Sequence, residues 1–383
     1  MIRCMMFQIS VESCIVLAIF ILIQMIKGFW EKLERPIIGL SPMDGVTDGA
    51  FRYMVCKYSQ PALTMTEFTN VEGLARGASQ MMEAFVYREI ERPAVAQIYG
   101  VEVESFYKCT LLMCALGFDG VDINMGCPAN KVAKRGSGAA LIKTPALAKK
   151  IVRACQKAAK DWAEGMTLEE GGVAPECIAE AKRMNERRAE LDGVASEVER
   201  VEIPVSVKTR VGFDEIVAEE WAKHLLEVRP ANITMHGRTL RQMYLGLADW
   251  GAIERAARVC DGSGVSFLGN GDVKTMGEAR EWTEQYGLDG VLVGRATFGS
   301  PWFFGGKVPD METVEGIEQM LKVVVEHAQY YEEHMSTPFH VIRKHLAWYC
   351  KGFEGAKELR MALMRVDDSK GVQEVVENFE FKG

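Results

Sequence analysis

Short runs rich in aliphatic and β-branched residues recur along the chain, at 37–41, 63–68, 94–99, 120–125, 204–209, 232–236, 265–269 and 290–293. Each has strand length and is followed by polar or turn-forming residues. Between them lie stretches with helical spacing, among them 103–116, 145–160, 215–227 and 276–286. Strand and helix in alternation predict a parallel sheet, because parallel neighbours need a long crossover. Eight such units predict a closed (β/α)8 TIM barrel.

Two regions interrupt the alternation. Residues 161–200 carry eleven acids against five bases, with helix-like spacing in CIAEAKRMNERRAELD. The segment reads as an insertion, a helical hairpin or lid, unless it is a solvated excursion. After Phe304, Gly305-Gly306 and Pro309 mark a boundary, and helical patterns continue through 315–335, 338–351 and 356–364. The expected organisation is an apolar extension over 1–28, a catalytic barrel over 29–305 and a helical domain over 306–383.

Composition narrows the class. Of 383 residues 48% are hydrophobic and 26% charged, which excludes collagen-like, low-complexity and wholly disordered chains. The net charge of −8 argues against a surface that grips nucleic acid everywhere, so any such face must be local. Ten cysteines without a CxxC pair suggest neither a zinc module nor a disulfide framework, and a cytoplasmic setting with no metal site is expected. The apolar run CIVLAIFILI at 14–23 is too short for a bilayer, which needs about 20 residues. It reads as an address segment or as extra sequence ahead of a start at Met25, and no stable membrane association is expected.

The strand ends carry the candidate chemistry, as in other barrels of this kind. Asn124-Met125-Gly126-Cys127-Pro128 places a cysteine in a rigid turn, where it could serve as acid, base or nucleophile; a buried inert thiol is the alternative. Lys208 alternates with Val205 and Val207, so it faces inward and needs a partner, either an electron-rich cofactor or a barrel carboxylate. Gly269-Asn270-Gly271-Asp272 and Gly294-Arg295 supply glycines and a cation where barrels often hold phosphate.

These segments carry a family resemblance. SPMDGVTDGAFR (41–52), TEF (66–68), AQIYG (96–100), GFDGVDINMGCPANKVAKRGSGAALI (117–142), PVSVKTRVG (204–212), ITMHGRT (233–239), GNGDV (269–273) and DGVLVGRATFGSPWFF (289–304) resemble the tRNA-dihydrouridine synthases, in the same order. The resemblance implies an FMN-dependent barrel, reduced by NADPH or NADH, with a helical tRNA-binding domain. It implies that Pro42 and Met43 lie against the flavin, that Gln97 and Lys208 bond its ring, and that His236 approaches the cofactor or its phosphate. Asn124, Asn270, Gly271, Asp272, Gly294 and Arg295 complete the implied cofactor set, and Cys127 is the implied proton donor. Asp44 stands where the family commonly has Ala, and the 161–200 segment is longer than usual.

Charge distribution points independently to RNA. Between Ile123 and Lys160 there are nine Lys or Arg and no Asp or Glu. Lys131, Lys134, Arg135 and Arg210 are the candidates near the catalytic turn, the rest reading as well as a solvated helix face. A second cluster includes Arg343, Lys344, His345 and Arg360, with Trp348 and Tyr349 interleaved as base contacts or as helix core. The substrate expected is tRNA, with no protein partner implied. A flavin barrel acting on a free pyrimidine is the rival, and it would need neither the basic strip nor the helical domain.

Overall fold

The computed structural model describes residues 28–133, 135–243 and 245–379, so the apolar run at 14–23 lies outside the described residues. Eight parallel strands form the barrel: β1 (Ile37–Leu40), β2 (Thr64–Met65), β3 (Ala94–Tyr99), β4 (Gly120–Met125), β5 (Val205–Arg210), β6 (Asn232–His236), β7 (Ser266–Asn270) and β8 (Gly290–Val293). Each ladder joins sequence neighbours, and β1 pairs with β8 in register Ile37 to Gly290. The Leu40 N–H donates to Leu63 (3.0 Å) and the Ala62 N–H to Ile38 (2.9 Å), which closes the ring between β1 and β2.

The strand expected at 63–68 is cut to two residues. Thr66 N–H still bonds Val95, but the ladder then lapses at Glu67 and Phe68 and resumes where Thr69 and Asn70 lie beside Ile98 and Tyr99. Glu67 is thereby released from the sheet at the barrel rim.

Alternation along the strands sorts the interior by height. Trp30, Ile37, Leu63, Met65, Val95, Ala231, Leu268 and Leu292 form an apolar plug. Above it the lining turns polar: Gln97, Asp122 and Ser206 are register partners across β3, β4 and β5, all fully buried. Higher still, Asn124 lies beside Lys208, and His236 beside Asn270.

Outside the strands run α1 (Gly49–Tyr58), α2 (Val103–Ala115), α3 (Pro145–Ala163), α4 (Pro175–Asp192), α5 (Ala218–Leu226), α6 (Trp250–Cys260) and α7 (Met276–Gln285). The charged insertion is neither hairpin nor lid. It is the single helix α4, opened by Pro175 and ended by Gly193 in the left-handed conformation. Its buried face, Cys177, Ala181, Asn185 and Arg188, docks on the end of α2. There Asn185 Nδ2 donates to Ala115 O (2.8 Å) and Arg188 to Leu116 O (2.6 Å), capping carbonyls the helix leaves open. Because polar groups do this docking, the sequence resembles a solvated stretch.

The C-terminal helices are α8 (Val314–His334), α9 (Arg343–Tyr349), α10 (Ala356–Leu363) and α11 (Ser369–Glu377). Short and polar α11 was not expected; Asp368 caps it and Val372 anchors it in the core. Helix α1 serves two cores at once. Its Phe51 and Val55 join the barrel, while Ala50 and Met54 pack with Trp302 and α8. Tyr53 stacks on Tyr330 at 3.9 Å, and Phe298 on Trp348 at 4.1 Å.

Also on α1, Arg52 is fully buried, paired with buried Glu91 (2.7 Å) and bonded to the carbonyls of Thr47 and Val86. Removing one partner of such a pair strands the other's charge, so Arg52→Met should cost about 3–5 kcal/mol in urea unfolding. A loss below about 1 kcal/mol would show the pair to be incidental.

Candidate active site

The C-terminal strand ends converge on one mouth. After β1, Met43 N–H donates to Thr47 Oγ1 (2.9 Å) and Met43 O accepts from Val46 (2.9 Å) and Thr47 (3.0 Å), folding the Pro42-Met43 turn on itself. After β4, Asn124 Oδ1 accepts from the backbone N–H of Gly126 (3.0 Å) and Cys127 (2.8 Å). Its Nδ2 donates to Gln97 Oε1 (2.9 Å), so both ends of the Asn124 amide are engaged within the protein. The turn is bolted from the other side by Arg210, whose Nε donates to Gly126 O (2.6 Å) and whose Nη1 reaches Thr239 O (3.2 Å) and Met243 O (3.3 Å).

Cys127 is buried, and burial pushes its thiol pKa up, with Asp44 adding to the rise. The Ala129 N–H, Arg210 and Lys208 work the other way. The thiol form therefore prevails near neutral pH, which suits a proton donor better than a nucleophile.

Across the mouth, Lys208 Nζ donates to Asn270 Oδ1 (3.1 Å), and Asn270 Nδ2 donates to Leu292 O (2.8 Å). Burial and then Arg210 lower the Lys208 pKa to about 8, opposed by Asp122 and Cys127. His236 lies at the end of β6; burial holds it well below the ordinary histidine range, and Arg210, Lys208, Arg238 and Arg295 all push the same way. A neutral imidazole ringed by four cations marks a strongly electropositive pocket.

Asp272 organises two of those cations. Its carboxylate accepts from Arg238 Nη2 (2.8 Å to each oxygen), Arg295 Nη2 (2.8 Å) and the Ala248 N–H (2.8 Å). These contacts outweigh burial and hold its pKa below the usual carboxylate value. Asp272 thus positions the guanidinium groups. Arg238, which the sequence reading passed over, is 2% exposed, and its Nε has no hydrogen-bond partner among the described residues. The available signal was parity, since Arg238 stands two residues beyond His236 in the quoted His-Gly-Arg-Thr segment.

The neighbouring glycines pack where no side chain would fit. Gly271 has φ +130°, and a Cβ there would come within 2.7 Å of Ala248 Cβ and 3.2 Å of the His236 ring. A Cβ on Gly294 would meet Met43 Sδ at 3.0 Å. Arg295, with a side chain 56% exposed, borders the same cradle.

The RNA candidates divide. Arg135 is exposed and lies within electrostatic reach of Tyr99 near the thiol, while Lys134 and the Lys131 side chain lie outside the described residues. Arg210 is 4% exposed and braces the turn. In the helical domain Arg343 binds Val366 O (2.7 Å) and Asp367, Lys344 binds Gly45 O, and Arg360 binds Cys350 O (2.7 Å). His345 is buried against Phe51, His327 and Trp348, and Tyr349 is buried and bonded to His327 (3.1 Å). Arg343 and Arg360 thus brace the helical domain internally while Lys344 ties it to the barrel; Tyr349 is core, and Trp348 is half-buried, stacked on Phe298.

A family model described as "Dihydrouridine synthase (Dus)" matches residues 39–163 and 180–382. A probable tRNA-dihydrouridine synthase of Staphylococcus aureus (strain MRSA252) is 32% identical over 359 residues, covering 92% of this chain and 96% of the relative. The probable tRNA-dihydrouridine synthase 2 of Bacillus subtilis (strain 168) is 31% identical over 363 residues, covering 94% and 98%. The likeness to a solved structure of DHODH from Eimeria tenella, at TM-score 0.44 and 11% identity over 84% of this chain and 94% of that one, is too distant to bear on this protein.

The lowered Lys208 pKa has a signed consequence for stability. From about pH 8 up to the ordinary lysine value, the unfolded chain holds a proton at this site that the folded chain has released, so rising pH favours the fold. Measured by urea unfolding of ligand-free protein, wild type should gain stability relative to Lys208→Met between pH 8 and pH 10. A gap independent of pH would mean that Lys208 titrates normally.

Proposed function

This chain belongs to the dihydrouridine synthase family, and from that premise we propose that it reduces uridines in tRNA to dihydrouridine, with FMN held at the barrel mouth and NADPH or NADH as reductant. The observation that carries the reading is the meeting, at one mouth, of a protonated Cys127 in a braced turn with a pocket of four cations around a neutral His236. A structural barrel gains little from drawing Lys208 inward with only the neutral Asn270 amide to bond it, since desolvating a charge is costly.

The cradle fits a phosphate-bearing planar cofactor. Arg238 has a buried, unpartnered Nε, and Gly271 and Gly294 let the backbone approach Ala248, His236 and Met43 more closely than a side chain would allow. Arg238, Arg295 and the backbone of Gly271 and Gly294 would take the phosphate. Lys208, Asn270 and His236 would meet the polar edge of the ring, and Pro42 and Met43 would lie along its face; Gln97, fully buried with both amide ends bonded to Asn124 and Asp122, is withdrawn from the ring contacts. When bound, FMN supplies the hydride that saturates C6 of the uracil ring.

The protein's own part is the proton. Adding hydride to C6 leaves C5 in need of H⁺, and the Cys127 thiol would give it, a service typically worth about 10²–10⁴ in rate. The thiolate left behind is stabilised by the Ala129 N–H, Arg210 and Lys208, the groups that lower this thiol's pKa. The target base must leave its stack to reach the mouth, at a cost of a few kcal/mol that phosphate contacts offset. Exposed Arg135, with Lys131 and Lys134 beside it in sequence, is suited to those contacts. The cations Arg343, Lys344 and Arg360 of the helical domain are less so, being already bonded.

In Cys127→Ala, FMN binding and NADPH-dependent bleaching of the flavin should persist, while dihydrouridine formation falls by about 10² or more. Full turnover in that variant removes Cys127 from the mechanism. Arg238→Ala should weaken FMN binding by about 10- to 100-fold in fluorescence titration, the scale of one charge-assisted hydrogen bond. Unchanged affinity would place the phosphate elsewhere.

A further inference from the structure

Below the catalytic turn lies a buried chain of hydrogen bonds whose direction is fixed at both ends. At the top, the N–H groups of Gly126 and Cys127 can only donate, so Asn124 must present Oδ1 to them. Its Nδ2 then faces Gln97 Oε1 at 2.9 Å, which turns Gln97 Nε2 downward to Asp122 Oδ2 at 2.7 Å. Ser206 Oγ donates to the other Asp122 oxygen, also at 2.7 Å. An amide reversed anywhere along this line would set donor against donor. Asp122, acceptor-only when ionised, anchors the lower end of the line, as the Gly126 and Cys127 N–H groups anchor the upper.

We propose that Asp122 is a positioning residue for the Cys127 turn, acting through Gln97 and Asn124 to fix where the thiol stands. Asp122 touches neither Cys127 nor solvent; it is 0% exposed, as are Gln97 and Ser206. The inference rests on the proposed function only for the role it gives the thiol. The competing explanation is that Asp122 serves as a distant counter-charge to Lys208, since each moves the other's titration. The two differ in what the site requires: an acceptor in a set direction, or a negative charge.

Substitution separates them. Asp122→Asn keeps the shape, an oxygen for Gln97 Nε2 and an NH2 that Ser206 Oγ can accept, and loses the charge. Asp122→Leu loses both and strands the buried Gln97 Nε2 without its acceptor, so the line is held from the upper end alone. The readout is the rate at which iodoacetamide alkylates Cys127 in the full-length protein, followed by peptide mass spectrometry. The other cysteines among the described residues, all buried, serve as references. Asp122→Leu should change the Cys127 rate by about tenfold, the scale of one lost buried hydrogen bond, with Asp122→Asn within about threefold of wild type.

A folded Asp122→Leu protein with wild-type alkylation overturns the proposal, and so does Asp122→Asn behaving like Asp122→Leu. Should Asp122→Leu fail to fold, Gln97→Glu tests the same line, since it sets two carboxylates face to face. Adding Asp122→Asn to Gln97→Glu moves the acceptor up one place and should restore the wild-type rate; failure to restore it counts against the proposal. Alkylation reports where the thiol stands and not what it does, so an active Cys127→Ala enzyme would end the proton-donor reading without touching this result.

Discussion

A half-buried ammonium group inside a barrel, with one neutral hydrogen-bond partner, is the constraint from which the rest of this site follows. Lys208 Nζ bonds Asn270 Oδ1, while the carboxylate next nearest in kind, Asp122, is committed to Gln97 and Ser206. Burial is the largest cause of the lowered Lys208 pKa, with Arg210 next. The fold bears that cost because its lower half is sealed by an apolar plug around Trp30, which leaves the upper half free to be polar. An unpaired cation on β5, joined by guanidinium groups after β6 and β8, makes sense where an anionic, electron-rich partner completes the charge balance.

Two halves of the ring then do different work. Strands β3 and β4 build a directional hydrogen-bond line that ends in the Cys127 turn, while β6, β7 and β8 build an electropositive cradle around Asp272. Arg210 joins them, running from β5 to the turn after β4 and to the loop after β6. Its charge lowers the His236 pKa and helps stabilise a Cys127 thiolate, so a residue that looks on paper like an RNA contact couples the two halves electrostatically.

Most of the barrel was legible in the sequence because each strand is a short apolar run with chemistry at its end, and seven of the eight predicted runs agree with the observed strands to within a residue at each bound, the exception being 63–68. What could not be read was which cations remain available. Arg343, Lys344 and Arg360 look like an RNA face in one dimension, yet each finds a carbonyl or carboxylate once the helices fold. Helix α4 was legible as a helix, but its docking was not, because Asn185 and Arg188 hold it by satisfying carbonyls at the end of α2 and a polar contact of that kind looks like a solvated face in the sequence. Arg238 was missed since its function depends on Asp272, a partner 34 residues away.

The central claim is that this mouth reduces uracil within tRNA. It is tested most directly by incubating the protein with FMN, NADPH and tRNA lacking dihydrouridine, then measuring the nucleosides by mass spectrometry. The account predicts that dihydrouridine appears in step with NADPH consumed and with a matching loss of uridine. A bound flavin that NADPH reduces, beside tRNA whose uridine content does not change, would contradict it.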